Sequence, residues 1–235
     1  MRTDISTGPY DELILLPGNF TVPQPQSGPP KIPKKALRIS RIYVSQRTTT
    51  YNGRLNWNIP KHLARFSFSA PTTTGAASPP ESLTVRIFPP GTSDGDGTAP
   101  FFACTLTPWR WIPAMPMNTA YVPLSLVMAQ PPCPEQAGQR TAAAFEAELA
   151  KPIDPYDISA KNEEAVLVGT ERWCAVGVEA KSRARGCWVD MSVGENGKGE
   201  VDEGTWWPKG VKPWSVGAWI EDGVFEFGMP LEWKL

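Results

Sequence analysis

The chain has 235 residues, with 26 prolines, 20 glycines and 41% hydrophobic content. That fits one large, mainly β domain over residues 1–235 better than two small ones. A formal net charge of −1 excludes strong electrostatic attraction to nucleic acid or to an anionic membrane surface. Met1 to Ser6 is polar and no run reaches eighteen apolar residues, so neither a secretory leader nor a membrane span is predicted, and a soluble cytoplasmic protein is expected.

Short β-prone runs bounded by Pro, Gly and Ser recur along the chain. The predicted strands are Glu12 to Leu16, Leu37 to Arg47, Ala64 to Ser69, Leu83 to Phe88, Phe101 to Leu106 and Tyr121 to Met128. They continue with Ala165 to Val168, Trp173 to Ala180, Gly186 to Val193, Trp214 to Trp219 and Val224 to Phe227. Alternation is clearest in Arg65-Phe66-Ser67-Phe68-Ser69 and Leu83-Thr84-Val85-Arg86-Ile87, the pattern of a strand with one wet and one dry face. A single helix is predicted over Glu135 to Leu149, where alanine is abundant and Phe145 and Leu149 fall four residues apart. Thr21 to Pro33, Thr72 to Pro80, Pro89 to Pro100 and Gly194 to Pro208 read as linkers. Ten tryptophans supply core volume, and Trp109-Arg110-Trp111 and Trp206-Trp207 could also wall an apolar cavity. The four cysteines, at 104, 133, 174 and 187, lack Cys-x-x-Cys spacing and are expected to be reduced, buried thiols.

Gly53-Arg54-Leu55-Asn56-Trp57-Asn58-Ile59-Pro60-Lys61-His62-Leu63-Ala64 is the segment that points to a chemistry. A lysine held against apolar surface loses part of the solvation of its ammonium form, so its pKa falls and the neutral amine can attack a carbonyl. An unperturbed lysine is neutral in only about 1 molecule in 2,500 at pH 7, and a shift of ~3–4 units raises that fraction about a thousandfold. Trp57, Ile59 and Leu63 are the expected desolvating walls for Lys61 and, with Tyr10, the expected substrate-binding residues. The plainer alternative is a surface lysine ending a strand.

This segment resembles the active-site motif of acetoacetate decarboxylases, roughly Gly-Arg-Glu, a short variable stretch, an aromatic, then Pro-Lys-Lys-Leu. Arg54, Pro60 and Lys61 match the motif arginine, proline and first lysine, and Gly8-Pro9-Tyr10-Asp11-Glu12-Leu13-Ile14 is similar to the family's Tyr-x-Glu strand. Ile39 to Ser45 resembles the intervening strand. The resemblance implies a double-sheet, cone-like or closed antiparallel β fold with one crossing helix near 135–149. It also implies a Schiff-base lyase acting on a small-molecule ketone or keto acid without a cofactor or metal. Lys61 would be the nucleophile and Glu12 the proton-handling carboxylate. Arg54 would be a supporting or anion-facing charge, and His62 a neighbour that tunes Lys61 or relays a proton.

Two positions depart from the family: Leu55 stands where glutamate is usual, and His62 where the second lysine is usual. In that family a neighbouring cation activates the lysine, and a mostly neutral histidine would contribute less. The chain begins only eleven residues before Glu12, so the family's preceding segment, which recognises the substrate carboxylate, is expected to be missing. Aldol, dehydration or cyclisation chemistry on a larger apolar ketone is then as consistent as decarboxylation. A non-catalytic small-molecule-binding protein on the same fold is the alternative. The strand edge left bare would favour a homo-oligomer.

Other patterns point elsewhere less well. Ile32-Pro33-Lys34-Lys35 matches Pro-Lys-Lys more literally but follows a Pro/Gly/Gln-rich run without the Gly-Arg lead-in. Gly91-Thr92-Ser93-Asp94-Gly95 satisfies the nucleophile-elbow pattern, yet Pro89-Pro90 precedes it and the chain's one histidine lies upstream. Asp94-Gly95-Asp96-Gly97 lacks the remaining ligands of a calcium loop and reads as a solvated turn.

Overall fold

The computed structural model describes residues 8–25, 32–72, 79–121, 126–134, 142–191, 205–208, 210–211 and 213–235. In chain order the elements begin with β1 (Glu12–Leu15), β2 (Asn19–Thr21), β3 (Lys35–Leu37), β4 (Arg41–Val44), α1 (Arg47–Trp57) and β5 (Lys61–Leu63). Next come β6 (Arg65–Ser69), β7 (Leu83–Phe88), β8 (Phe102–Pro108), β9 (Met115–Asn118) and β10 (Val127–Gln130). The last are α2 (Ala142–Leu149), α3 (Ala160–Glu164), β11 (Trp173–Asp190), β12 (Val216–Phe227) and β13 (Leu231–Trp233).

The protein is mainly β, as the sequence predicts, but its two sheets are not closed into a barrel. The expected closed antiparallel architecture with one helix is corrected in two respects. The described residues hold three α-helices, and β4–β5 and β3–β10 pair in parallel. The first parallel pair follows from α1, because parallel neighbours need a crossover connection and a helix supplies it. Of the helix expected over Glu135 to Leu149, Ala142–Leu149 is helical and 135–141 lie outside the described residues.

Two compact units divide the chain. The first draws on described residues within Met1–Ala64, Leu124–Val178 and Glu226–Leu235. In it β1 and β5 flank β4, with Glu12 opposite Val44 and Val44 opposite Leu63. The remaining strands run β2–β3–β10 and on to the first part of β11, which also pairs with β13. Ile39, Ile42, Val44, Ile59, Leu63, Met128 and Val176 form one core cluster. The buried amide of Gln130 lies against the Ile39 backbone, nitrogen donating to its carbonyl (3.0 Å) and oxygen accepting from its N–H (2.8 Å), once oriented to satisfy both. A side chain thus does there what a strand neighbour would do.

The second unit draws on Arg65–Pro123 and Glu179–Phe225. Its strands β6, β7 and β8 form an antiparallel meander that continues onto the later part of β11. The tryptophan pairs singled out in the sequence pack here. Trp207 is buried against Phe102 (5.0 Å between centroids), and Trp109 stacks on Trp111 (5.9 Å) and tilts against Trp188 (5.1 Å). Gly186 is obligatory for that cluster, since a Cβ there would lie 2.1 Å from the Trp109 ring. The Pro89 to Pro100 linker is a turn in which Asp96 accepts from the Ser93 and Thr98 N–H groups (2.7 and 2.8 Å).

All four cysteines are buried outside disulfides, and burial pushes the Cys104 thiol up to about 11. Among the described residues no helix is long and apolar enough to cross a membrane, and no group of three His, Cys, Asp or Glu side chains is placed to hold a metal.

Candidate active site

The Gly-Arg…Pro-Lys segment folds as a helix end turned into a strand. Gln46 caps α1, its side chain accepting from the Thr49 N–H (3.2 Å). Asn58 stops the helix in the left-handed conformation (φ 52°), which asparagine tolerates better than most residues. The Asn58 and Ile59 N–H groups donate to the Arg54 and Gly53 carbonyls (3.2 and 3.1 Å). The Asn58 side chain donates to the Arg172 carbonyl and accepts from Thr170 Oγ1 (2.9 Å). Pro60 cannot continue a helix, and the chain leaves as β5.

Two residues of the motif act on Lys61 directly. A Cβ at Gly53 would lie 2.7 Å from Lys61 Cδ and 2.8 Å from its Cε, so only glycine lets the lysine stem cross the helix. Arg54, buried to 2% exposure, donates to the Lys61 carbonyl (3.2 Å), the Val168 carbonyl (2.9 Å) and the Pro134 carbonyl. Burial holds its guanidinium below its ordinary pKa, partly offset by Cys133 and Glu163.

Strand alternation then sorts the site residues onto two faces. Register places Glu12, Ile42, Val44, Lys61 and Leu63 on one face of the β1–β4–β5 sheet, and Leu13, Arg41, Tyr43 and His62 on the other. On the first face, Lys61 Nζ donates to Glu12 Oε2 (2.8 Å) and to Thr49 Oγ1 (3.0 Å), and sits 5.2 Å from the centre of the Tyr10 ring. The Lys61 side chain is 8% exposed and that of Glu12 24%. This is an amine with a proton acceptor in contact, in a nearly dry setting.

On the second face, His62 Nδ1 pairs with Glu163 Oε1 (3.1 Å) and its ring tilts against Tyr43. Burial lowers the His62 pKa first; Glu163 raises it, and Arg54 and Arg41 lower it further. A cavity of about 350 Å³ opens here, lined by Arg38, Arg41, Arg54 and His62 with prolines 60, 131, 132 and 134 among its walls.

Lys61, Glu12 and Tyr10 are therefore brought together, with Arg54 behind them. His62 is turned to the opposite face and bonds Glu163. Trp57, Ile59 and Leu63 belong to the core cluster or pack on it. Leu55 packs on the apolar cluster of Tyr51, Phe145, Val166 and Val168, a setting hostile to a carboxylate. Sequence reasoning missed Thr49, Gly53 as a clearance for the lysine, and Glu163. Thr49 and Gly53 lie four residues apart, so a helical reading of 47–57 would have put both on the lysine's side. No protein-family model, curated protein or solved structure matches this chain.

Proposed function

We propose that Lys61 is the nucleophile of a Schiff-base site acting on a small ketone or keto acid. The observation that carries this reading is the Lys61 amine held at 2.8 Å from the Glu12 carboxylate in a nearly buried position. Passing one ammonium proton to Glu12 frees the amine lone pair, which attacks the carbonyl carbon to give a carbinolamine. Glu12 returns that proton to the departing hydroxyl, water leaves, and an iminium remains. The iminium withdraws electrons from the adjacent carbon. Loss of carbon dioxide or of a proton from that carbon then gives an enamine, whose reprotonation and hydrolysis release product and restore the amine. Thr49 fixes the nitrogen at 3.0 Å while this occurs. Association of copies through the outer edge of β1, tested by sedimentation, belongs to the same reading.

Incubation with β-keto acids and diketones, followed by borohydride and peptide mapping, tests it. A reduced adduct on Lys61, absent in Lys61→Ala, is the expected result. The absence of any Lys61 adduct across the panel overturns the reading. One observation favours a second reading, a binding protein without chemistry: Lys61 does not line the 350 Å³ cavity. In that case Lys61–Glu12 is an internal ion pair, and ligand binds on the other face with no covalent step.

A further inference from the structure

We infer that the cavity on the His62 face is a binding site for a small organic oxyanion, a carboxylate- or phosphate-bearing molecule distinct from any substrate of Lys61. Its described lining holds three arginines and a histidine and no Asp or Glu. Several cations lining one cavity focus a positive field into it, which draws an anion in. Arg38 is exposed, so its head group is open to an entering anion. Arg54 spends its donors on three carbonyls, which satisfy its N–H groups, and Glu163 offsets part of its charge. Arg38 lies over the Phe20 ring at 6.0 Å, with no acceptor for its guanidinium among the described residues. Arg41 Nη1 donates to the Tyr43 hydroxyl (3.0 Å), a contact that fixes the head group in place.

The occupant is defined by these walls. A guanidinium fork matches the planar oxygens of a carboxylate or the face of a phosphate. The prolines offer a rigid apolar surface for a short carbon body, and the volume falls at the low end of small-molecule sites. His62 adds a conditional charge. Glu163 from α3 engages its Nδ1, while Arg54 from α1 and Arg41 from β4 oppose its protonation. An anion in the cavity offsets those arginines, so binding and His62 protonation favour each other, and affinity rises as pH falls toward the histidine range.

This inference does not rest on the Schiff-base reading, because the two sites occupy opposite faces of β5. Calorimetric titration of the full chain with inorganic phosphate, malonate and citrate at low ionic strength tests it. Saturable binding by at least one probe is expected, weakened tenfold or more by Arg38→Gln and by Arg41→Gln. A preference for phosphate or for the carboxylates identifies the head group. Near-UV circular dichroism shows whether each variant is folded; if Arg41→Gln is not, Arg38→Gln decides. Lys61→Ala is expected to leave the affinity unchanged. No saturable binding by any probe, binding that survives in folded Arg38→Gln, or binding abolished by Lys61→Ala each overturns the assignment.

Discussion

The two faces of the β1–β4–β5 sheet carry similar side chains under opposite charge balances. On the Lys61 face one cation meets one carboxylate at 2.8 Å, and Thr49 takes a further donor. On the His62 face the described lining of the cavity holds three arginines and no carboxylate, and Glu163 beside it is engaged by histidine. A matched pair is complete without a ligand and becomes reactive only through proton transfer inside it. A cavity lined by several cations draws an anion from outside. The same twelve-residue motif serves both, because consecutive positions of β5 point to opposite sides.

Arg54 joins the two faces, so its loss is expected to be the most damaging. Arg54→Met leaves the carbonyls of Lys61, Pro134 and Val168 without their donor in a buried setting, at a cost of about 3 kcal/mol or more in urea unfolding. Arg54→Lys is expected to recover little, since one ammonium cannot span three diverging carbonyls. If Arg54→Met unfolds at the wild-type midpoint, the two faces are not linked through this residue.

Next in size is Gly53→Ala, whose sign depends on its neighbour. With Lys61 present the new methyl meets the lysine stem at 2.7 Å, and overpacking of about 1–3 kcal/mol outweighs the helix-propensity gain. In a Lys61→Ala background the obstacle is gone, and the same substitution should stabilise by about 0.5–1 kcal/mol. Paired denaturation curves check this. Equal effects in both backgrounds would remove glycine from the account of the lysine.

The smaller charge experiment is Glu12→Gln. The carboxylate is partly open to solvent, so stability should fall by only about 1 kcal/mol. The amide accepts a hydrogen bond from Lys61 but cannot take its proton. Adduct formation, measured as the rate of borohydride-trapped product, should therefore fall about a hundredfold. A loss of stability without a loss of rate would favour the structural ion pair over the catalytic one.

The Lys61–Glu12 pairing was anticipated only through the resemblance of the two segments to a known motif, whereas β1 and β7 were legible from their apolar runs and alternation. The expected Leu83 to Phe88 strand forms with those bounds. Helix α1 was not legible. Arg47-Thr48-Thr49-Thr50-Tyr51-Asn52-Gly53 combines β-branched residues, asparagine and glycine, all weak helix formers. Tertiary contacts make it helical instead, through the Gln46 cap, the Arg54 carbonyl contacts and the Tyr51 cluster. The buried run Ala165 to Val168 was expected to be a strand and is a turn and loop after α3, since a short apolar run fits either. Trp173 to Ala180 and Gly186 to Val193 were expected as two strands, but β11 is continuous to Asp190. The charged stretch between them stays extended because Lys181 and Arg183 pair with Asn118 and Pro116 of β9. The cavity escaped notice because its arginines come from separated segments.

The smallest effect sharpens the comparison most, because it reads the charge of the His62 face directly. Burial and the two arginines hold the folded His62 pKa below the ordinary 6.5. Above pH 6.5 the histidine is neutral in folded and unfolded chains alike, and its neutral form costs the fold nothing. As pH drops below 6.5 the unfolded chain takes up the proton first, so stability falls with pH until the folded pKa is passed. His62→Asn should flatten this slope between neutral and acid pH. Glu163→Gln removes the partner that favours protonation and should carry the slope to lower pH. A bound anion acts in the opposite sense. By offsetting Arg41 and Arg54 it raises the folded pKa, so saturating citrate or phosphate should flatten the slope in the wild-type protein and leave His62→Asn unmoved. Denaturation midpoints measured from pH 7.5 to about 5, with and without the anion, separate these cases. A wild-type slope that ignores the anion would show that His62 and the arginines do not share one field, and the contrast between the two faces would have to be redrawn.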